Sequence, residues 1–166
     1  MTDALILRPA RDDDAEGLIA LIGGCFAEYE GCVIDLDGID SELKAIASNF
    51  SQAGGKFWVL EDAASEGRIA ASVGLSPSSA AGEGGIELKK LYVNAEYRRR
   101  GIASRLLDLV LDEARATAAP AIDLWSDTRF VEAHAFYAHH GFSQLPETHE
   151  LHDPSNTTEF HFVRKM

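Results

Sequence analysis

The sequence predicts an α/β protein: a mixed, largely antiparallel sheet flanked by helices on both faces. Three observations carry that expectation. Apolar runs rich in β-branched and aromatic residues alternate with segments of helical periodicity, in the order β-α-α-β-β-β-α-β-α-β-β. Strands and helices alternate mainly in the second half, which implies a mixed sheet rather than separate layers. No repeat or linker interrupts the 166 residues, so residues 1–166 read as a single domain, one that buries roughly 70% of its unfolded surface.

The elements follow in order. Residues 4–9 (ALILRP) are an apolar run closed by proline, a first strand. Asp12, Asp13, Asp14 and Glu16 supply the acidic first turn of a helix carrying Leu18, Ile19, Leu21 and Ile22, which Gly23-Gly24 is expected to end near Phe26. Residues 27–40 read as a loop or broken helix. Leu43, Ile46, Ala47 and Phe50 mark a second helix from Ser41 to Phe50. Gly54-Gly55 is a turn, and residues 56–61 and 68–75 form a hairpin. After a Ser/Ala/Gly loop, residues 86–93 are the fourth strand. Ile102, Leu106, Leu109, Val110 and Ala114 form the stripe of an amphipathic helix that ends before Pro120. Residues 121–125 are a strand. Asp127 or Thr128 is the expected cap of a helix through His140, with Gly141 as its left-handed stop. A strand from Phe142 should halt at Pro146. Residues 157–164 form the last strand, with Phe160 and Phe162 on one face and His161 and Val163 on the other.

The formal net charge of −12 argues against broad nucleic-acid binding and favours cationic partners. No apolar run reaches the ~20 residues of a membrane span, and Met1-Thr2-Asp3 lacks the basic start of a signal peptide. Cys25 and Cys32 form no CxxC motif and are expected to be reduced thiols of a cytoplasmic protein. Against this acidity, Arg98, Arg99 and Arg100 stand together before Gly101 at the start of the long helix. The first N–H groups of a helix lack internal partners, and the dipole adds positive charge there, so the arrangement suits a polyanion. No GxxxxGK[ST] loop is present.

Residues 98–103 (RRRGIA) resemble the [Arg/Gln]-x-x-Gly-x-[Gly/Ala] acyl-CoA signature of the GNAT superfamily of N-acetyltransferases. Residues 87–93 resemble that family's acid-bearing fourth strand, and residues 133–142 (AHAFYAHHGF) its A-x-x-x-Y-x-x-x-G-F motif. The resemblance implies a GNAT-like fold and an acetyl-CoA-dependent enzyme acting on a primary amine of a small molecule or peptide. Acetyl-CoA is the implied co-substrate. Its pyrophosphate would rest on the backbone of Arg99, Arg100, Gly101, Ile102, Ala103 and Ser104, with charge from Arg98, Arg99 or Arg100. The backbone near Leu91, Tyr92 and Val93 would pair with the pantetheine arm and polarise the thioester. Glu87 is the implied general base, directly or through water, though a plain strand carboxylate paired with Lys89 would look the same. Tyr137 is the implied acid for the leaving thiolate.

One position departs from the family pattern. Phe130 stands where an Asn commonly contacts the coenzyme arm, so Thr128, Arg129 or water would have to replace that contact. The acidic segment with Glu28, Tyr29, Glu30, Asp35 and Asp37 lies where the family frames its acceptor, which suggests a cationic acceptor. His134 and His139 lack the i,i+4 spacing of a zinc helix, and no metal is expected. His149, His152 and His161 lie near the final hairpin, where they are expected at the surface or in reach of substrate. Trp58 and Trp125, expected at exposed edges, together with the family likeness allow a homodimer. A non-catalytic acyl-CoA-binding sensor on the same fold is the alternative reading.

Overall fold

The structure is a computed structural model and describes residues 4–166; Met1, Thr2 and Asp3, read above for a targeting signal, lie outside them. In chain order the elements are β1 (Leu5–Pro9), α1 (Ala15–Phe26), α2 (Ile46–Gln52), β2 (Lys56–Asp62), β3 (Arg68–Pro77), β4 (Ile86–Val93), α3 (Ile102–Ala116), β5 (Ala121–Asp127), α4 (Val131–His139), β6 (Ser143–Glu150) and β7 (Thr158–Lys165). The expected order holds throughout. The seven strands form one sheet in the order β1-β2-β3-β4-β5-β7-β6.

All neighbours are antiparallel except β4 and β5, which run parallel and pair only through Ile86 with Ile122 and Glu87 with Asp123. Beyond Glu87 the two strands part, leaving an unpaired strand edge inside the sheet. Strand β4 is also bulged. Ser72 faces Tyr92 and Gly74 faces Lys89, so Lys90 and Leu91 together oppose one residue of β3. Lys90 takes a positive φ of 52°, and its carbonyl accepts a bond of 2.8 Å from the Ser72 hydroxyl.

Two apolar cores sandwich the sheet. Leu18, Leu21 and Ile22 of α1 join Ile46, Phe50, Phe57 and Val59 on one face. On the other, Leu106, Leu107 and Val110 of α3 pack with Ile122, Leu124, Phe142 and Phe162. Of the stripe read from the sequence, Ile102, Leu106, Val110 and Ala114 are buried and Leu109 is partly so, while Leu107 and Leu111 widen the buried face of α3.

Several boundaries moved, each for a local reason. Helix α1 runs through Gly23-Gly24, where a Cβ would meet nothing, so the two glycines reflect no packing need. The second helix begins as a 3-10 turn over Ser41–Ala45 and becomes α only from Ile46. Strand β5 continues through Asp127, so the helix-capping position falls to Phe130; the Asp127 carboxylate instead accepts from the Arg129 N–H at 2.9 Å. Strand β6 passes Pro146 because the register shifts between Gln144 and Thr148. A proline in a bulge of an edge strand costs no ladder bond. Trp58 and Trp125 are partly buried, not exposed edges. Among the described residues no helix is long and apolar enough to cross a membrane.

Gly74 lies where β3 passes beneath the Phe50 and Phe57 rings, whose centroids are 4.9 Å apart. A Cβ there would fall 2.5 Å from Phe57 and 2.8 Å from Phe50. Gly74→Ala is therefore expected to destabilise the fold by about 1–3 kcal/mol, as overpacking does. Denaturant unfolding checks this; an unchanged midpoint would mean that the ring pair is free to shift.

Candidate active site

The parting of β4 from β5 opens a cavity of about 640 Å³. Its walls come from the end of α1 (Cys25, Phe26), the turn at Tyr29, β4 from Glu87 to Val93, β5 from Trp125 to Asp127, and Tyr137 of α4. Leu91, Tyr92, Val93, Arg98 and Ala103 all line it, so the two predicted motif regions meet in one space.

At one end the chain curls before α3. Arg99 and Gly101 both take positive φ, 63° and 72°, which turns successive N–H groups toward one side as in an anion nest. A Cβ built on Gly101 meets no protein atom. The glycine is thus required for its backbone conformation and for whatever approaches from outside. The Ile102 side chain is buried in the core, leaving only its backbone to the cavity side, and the Ser104 hydroxyl lies 3.3 Å from His140 Nε2.

The three arginines differ. Arg98 donates to both oxygens of Glu28 at 2.7 and 2.6 Å and to the Val93 carbonyl at 3.1 Å. Arg100 lies over the Tyr97 ring at 5.3 Å and bonds the Glu96 carbonyl, turned from the cleft. Arg99 has no side-chain partner among the described residues and lines a small recess with Arg98, Glu28, Tyr29 and Glu132. Glu28, expected to frame the acceptor, is instead found paired with Arg98 beside the start of α3.

Tyr137 is fixed from behind. Helix α4 ends in a Schellman motif, with Phe142 N–H bonding the Tyr137 carbonyl at 3.0 Å, Gly141 N–H bonding the Ala138 carbonyl at 3.2 Å, and Gly141 at φ 87°. The Phe142 ring, 5.7 Å from the Tyr137 ring, closes the motif. Tyr137 is 6% exposed, and its hydroxyl makes no hydrogen bond to the described residues. Burial lifts it well above the usual phenol range, so it stays protonated at neutral pH.

Glu87 lines the cavity with its carboxylate 3.9 Å from Lys89, too far for a hydrogen bond. Burial pushes its carboxyl up, Asp123 and Glu42 add to this, and Lys89 and His161 oppose it. Asp35 lies outside the cavity; its carboxylate accepts from the Ile39 N–H within its own turn. Asp40 and Glu42, a turn later, face the cleft instead and flank Lys90 at 3.8 and 3.2 Å. Tyr29 lines the cavity as expected, its ring 4.9 Å from that of Phe130. Phe130 thus contributes an aromatic wall. Neither Thr128 nor Arg129 lines the cavity. The Arg129 guanidinium bonds the Ser155 carbonyl, and the Ser155 hydroxyl bonds both N–H and C=O of Val33, tying the β6–β7 loop to the loop after α1.

The sequence reading missed Asp40, Glu42, Trp125, Asp153 and Glu159, all of which line the cavity. A signal existed. Asp123, Trp125 and Asp127 share one face of β5, and Glu159 and His161 share one face of β7, which is polar patterning on strands in the middle of a sheet. His161 is not at the surface. It is 3% exposed and bridges Asp123 at 2.7 Å and Glu147 at 2.8 Å, with Trp125 stacked between it and His149. Burial alone would push its imidazole down, but the two carboxylates outweigh that and leave it above its ordinary value.

A mixed sheet split between β4 and β5, with an anion nest at one end of the split and an acidic cavity at the other, is an acyltransferase-type architecture. The chain belongs to the acetyltransferase (GNAT) family, whose model matches residues 26–142. Among curated relatives, an uncharacterised N-acetyltransferase, YjgM of Escherichia coli, is 28% identical over 106 residues; these cover 64% of this chain and 62% of that protein. Among solved structures, a GNAT-family acetyltransferase from Staphylococcus aureus superposes with TM-score 0.78 at 24% identity, covering 98% of this chain and 99% of that one. The PaiA N-acetyltransferase of Thermoplasma acidophilum, solved in complex with coenzyme A, superposes with TM-score 0.71 at 17% identity, covering 98% and 99%.

The His161 bridge makes stability pH-dependent with a definite sign. A histidine whose folded pKa exceeds its unfolded value of ~6.5 contributes fully below that value and loses its contribution as pH rises through the folded pKa. The melting temperature is therefore expected to fall as pH rises from about 6.5 to the raised pKa of the folded state, with part of that slope absent in His161→Gln. Thermal unfolding of both proteins across pH 6–9 is the check, and identical slopes would remove His161 from the linkage.

Proposed function

We propose that this chain, as one domain, is an acetyl-CoA-dependent N-acetyltransferase acting on a primary amine. The observation that carries the reading is that Arg98 and Ala103, at the two ends of the helix-start turn, line one cleft together with the open edge of β4, Tyr137 and Glu87. The nest fits a pyrophosphate: its N–H groups are free by their place at a helix start, and Gly101 offers no side chain to obstruct them. Arg99 supplies a cation without a side-chain partner among the described residues. Arg98 would exchange Glu28 for phosphate, a swap between two oxygen acceptors of similar geometry. The β4 edge past Glu87 would pair with an amide-bearing arm as an added strand, with the bulge at Lys90 and Leu91 turning N–H groups near the thioester oxygen.

The chemistry then distributes itself over the side chains. The acceptor arrives protonated, since an alkylamine has a pKa of ~10.4, and must lose one proton before its nitrogen attacks the thioester carbon. Glu87, raised by burial, takes that proton directly or through water. As the C–N bond forms the nitrogen sheds its second proton to solvent, the C–S bond breaks, and the sulfur leaves as a thiolate of pKa ~8.5. Tyr137 donates a hydrogen bond to that sulfur. Full transfer from the less acidic phenol is uphill, so donation stabilises the thiolate while solvent replaces the proton. Both cysteines are buried and free, in keeping with a reducing, cytoplasmic setting.

The deciding experiment is thiol release from acetyl-CoA across a panel of primary amines. Turnover with at least one amine is expected, whereas binding of coenzyme A without turnover would indicate a sensor. Tyr137→Phe is expected to lower kcat by roughly 10²-fold or more while leaving coenzyme affinity unchanged. Full activity would remove the hydroxyl from the mechanism. Gly101→Glu, which adds both a strained φ and a negative charge, is expected to weaken coenzyme A binding at least about a hundredfold by calorimetry.

A further inference from the structure

The carboxylates around the inner cavity can be paired off one by one. Asp153 accepts from the Thr157 N–H at 2.7 Å and its hydroxyl at 2.8 Å. Asp127 faces Arg129 through the backbone N–H at 2.9 Å and the guanidinium at 3.5 Å. Asp40 and Glu42 share Lys90, and Glu87 has Lys89 within 4 Å. Glu132 is exposed at the mouth and has water. Glu159 remains. It lies on β7 between Asp127 of β5 and His149 of β6 and lines the cavity, yet no donor or cation among the described residues bonds its half-buried carboxylate. A carboxylate drawn from water needs a partner, and the one place left to supply it is the cleft.

We propose that Glu159 is the counter-ion of the acceptor's ammonium group, so that the cleft selects protonated aliphatic amines over neutral aryl amines. The inference rests on the acetyltransferase reading and names its substrate class. Glu159 and Glu87 approach the opening from opposite sides, β7 and β4, on the face of the sheet that carries Asp123, Trp125 and His161. An ammonium held by Glu159 is thereby delivered to the group that is to deprotonate it. The surroundings agree. Burial, then Glu87, Asp127 and Asp153, push the Glu159 carboxyl up to about 7, with Lys90 of β4 opposing. Docking a cation would bring it back down. The histidine opposite, His149, is stacked on Trp125 and makes no bond to it. The cation-recognition role first expected of Glu28 and Asp35 thus moves to the last strand.

The test compares phenethylamine with aniline as acceptors for the full chain, by thiol release from acetyl-CoA at pH 6–8, where phenethylamine stays protonated and aniline neutral. Phenethylamine is expected to be the better substrate in the unaltered protein. Its KM should rise as pH falls from 8 to 6, because Glu159 gains a proton and loses its charge. Glu159→Gln should raise that KM about tenfold or more at pH 8 and flatten its pH dependence, with the KM for acetyl-CoA within about twofold. Glu159→Asp should recover part of the loss. An unchanged amine KM in Glu159→Gln, or a preference for aniline in the unaltered protein, overturns the proposal while leaving the acetyltransferase reading intact. Failure of the unaltered protein to turn over any amine overturns both. The aniline comparison needs no variant, so it decides even if Glu159→Gln does not fold.

Discussion

The constraint on which the rest depends is the short pairing between β4 and β5. Two register pairs hold the halves of the sheet together, and beyond Glu87 the strands separate. A parallel junction is the weak point of a mixed sheet, because its connection must cross over through a helix, here α3, and cannot be tightened by a hairpin. The separation gives β4 a free edge inside the molecule and places the start of α3 and the side of α4 at its two rims. The bulge at Lys90 enlarges the effect by turning β4 away from a flat path. The cleft and its inner cavity are consequences of that single parting.

What the sequence made legible is what has local causes. The apolar stripe of α3, the glycine stop of α4 and the hairpin of β2 and β3 depend on residues close in the chain, and all stand as expected. Arg98–Ala103 and Tyr137 could be singled out in the sequence because contiguous motifs carry them. Glu159, Asp153 and the Asp123–His161–Glu147 bridge could not: the partners of His161 lie 14 and 38 residues away in the chain, and Glu159 and Asp153 meet β4 only across the folded cavity. That Glu28 and Asp35 lie away from the inner cavity was hidden for a related reason. Acidity in a loop predicts attraction to a cation, but which cation depends on tertiary neighbours: for Glu28 that neighbour is Arg98, 70 residues away.

The charge distribution now has a physical layout. The chain is strongly acidic, yet its two unmatched cavity-side charges are of opposite sign and sit apart: Arg99 by the nest and Glu159 in the inner cavity. Among the described residues the other cavity-lining carboxylates have a cation or a hydrogen-bond donor beside them, or stand exposed at the mouth. A molecule with a polyanionic end and an amine-bearing partner complement that pattern, and between the two ends lie the groups suited to acyl transfer, a phenol kept protonated and a carboxyl with raised proton affinity. The polarity of the cleft thus runs in the order in which the two substrates would have to meet.

The most direct measurement of this account is amide hydrogen exchange with and without coenzyme A. If the split between β4 and β5 receives the cofactor, protection should rise in two separated stretches, residues 91–93 on the open strand edge and residues 99–104 at the start of α3, while β1 and β2 stay unchanged. Protection confined to other surfaces, or none in these two stretches at saturating coenzyme A, would contradict it.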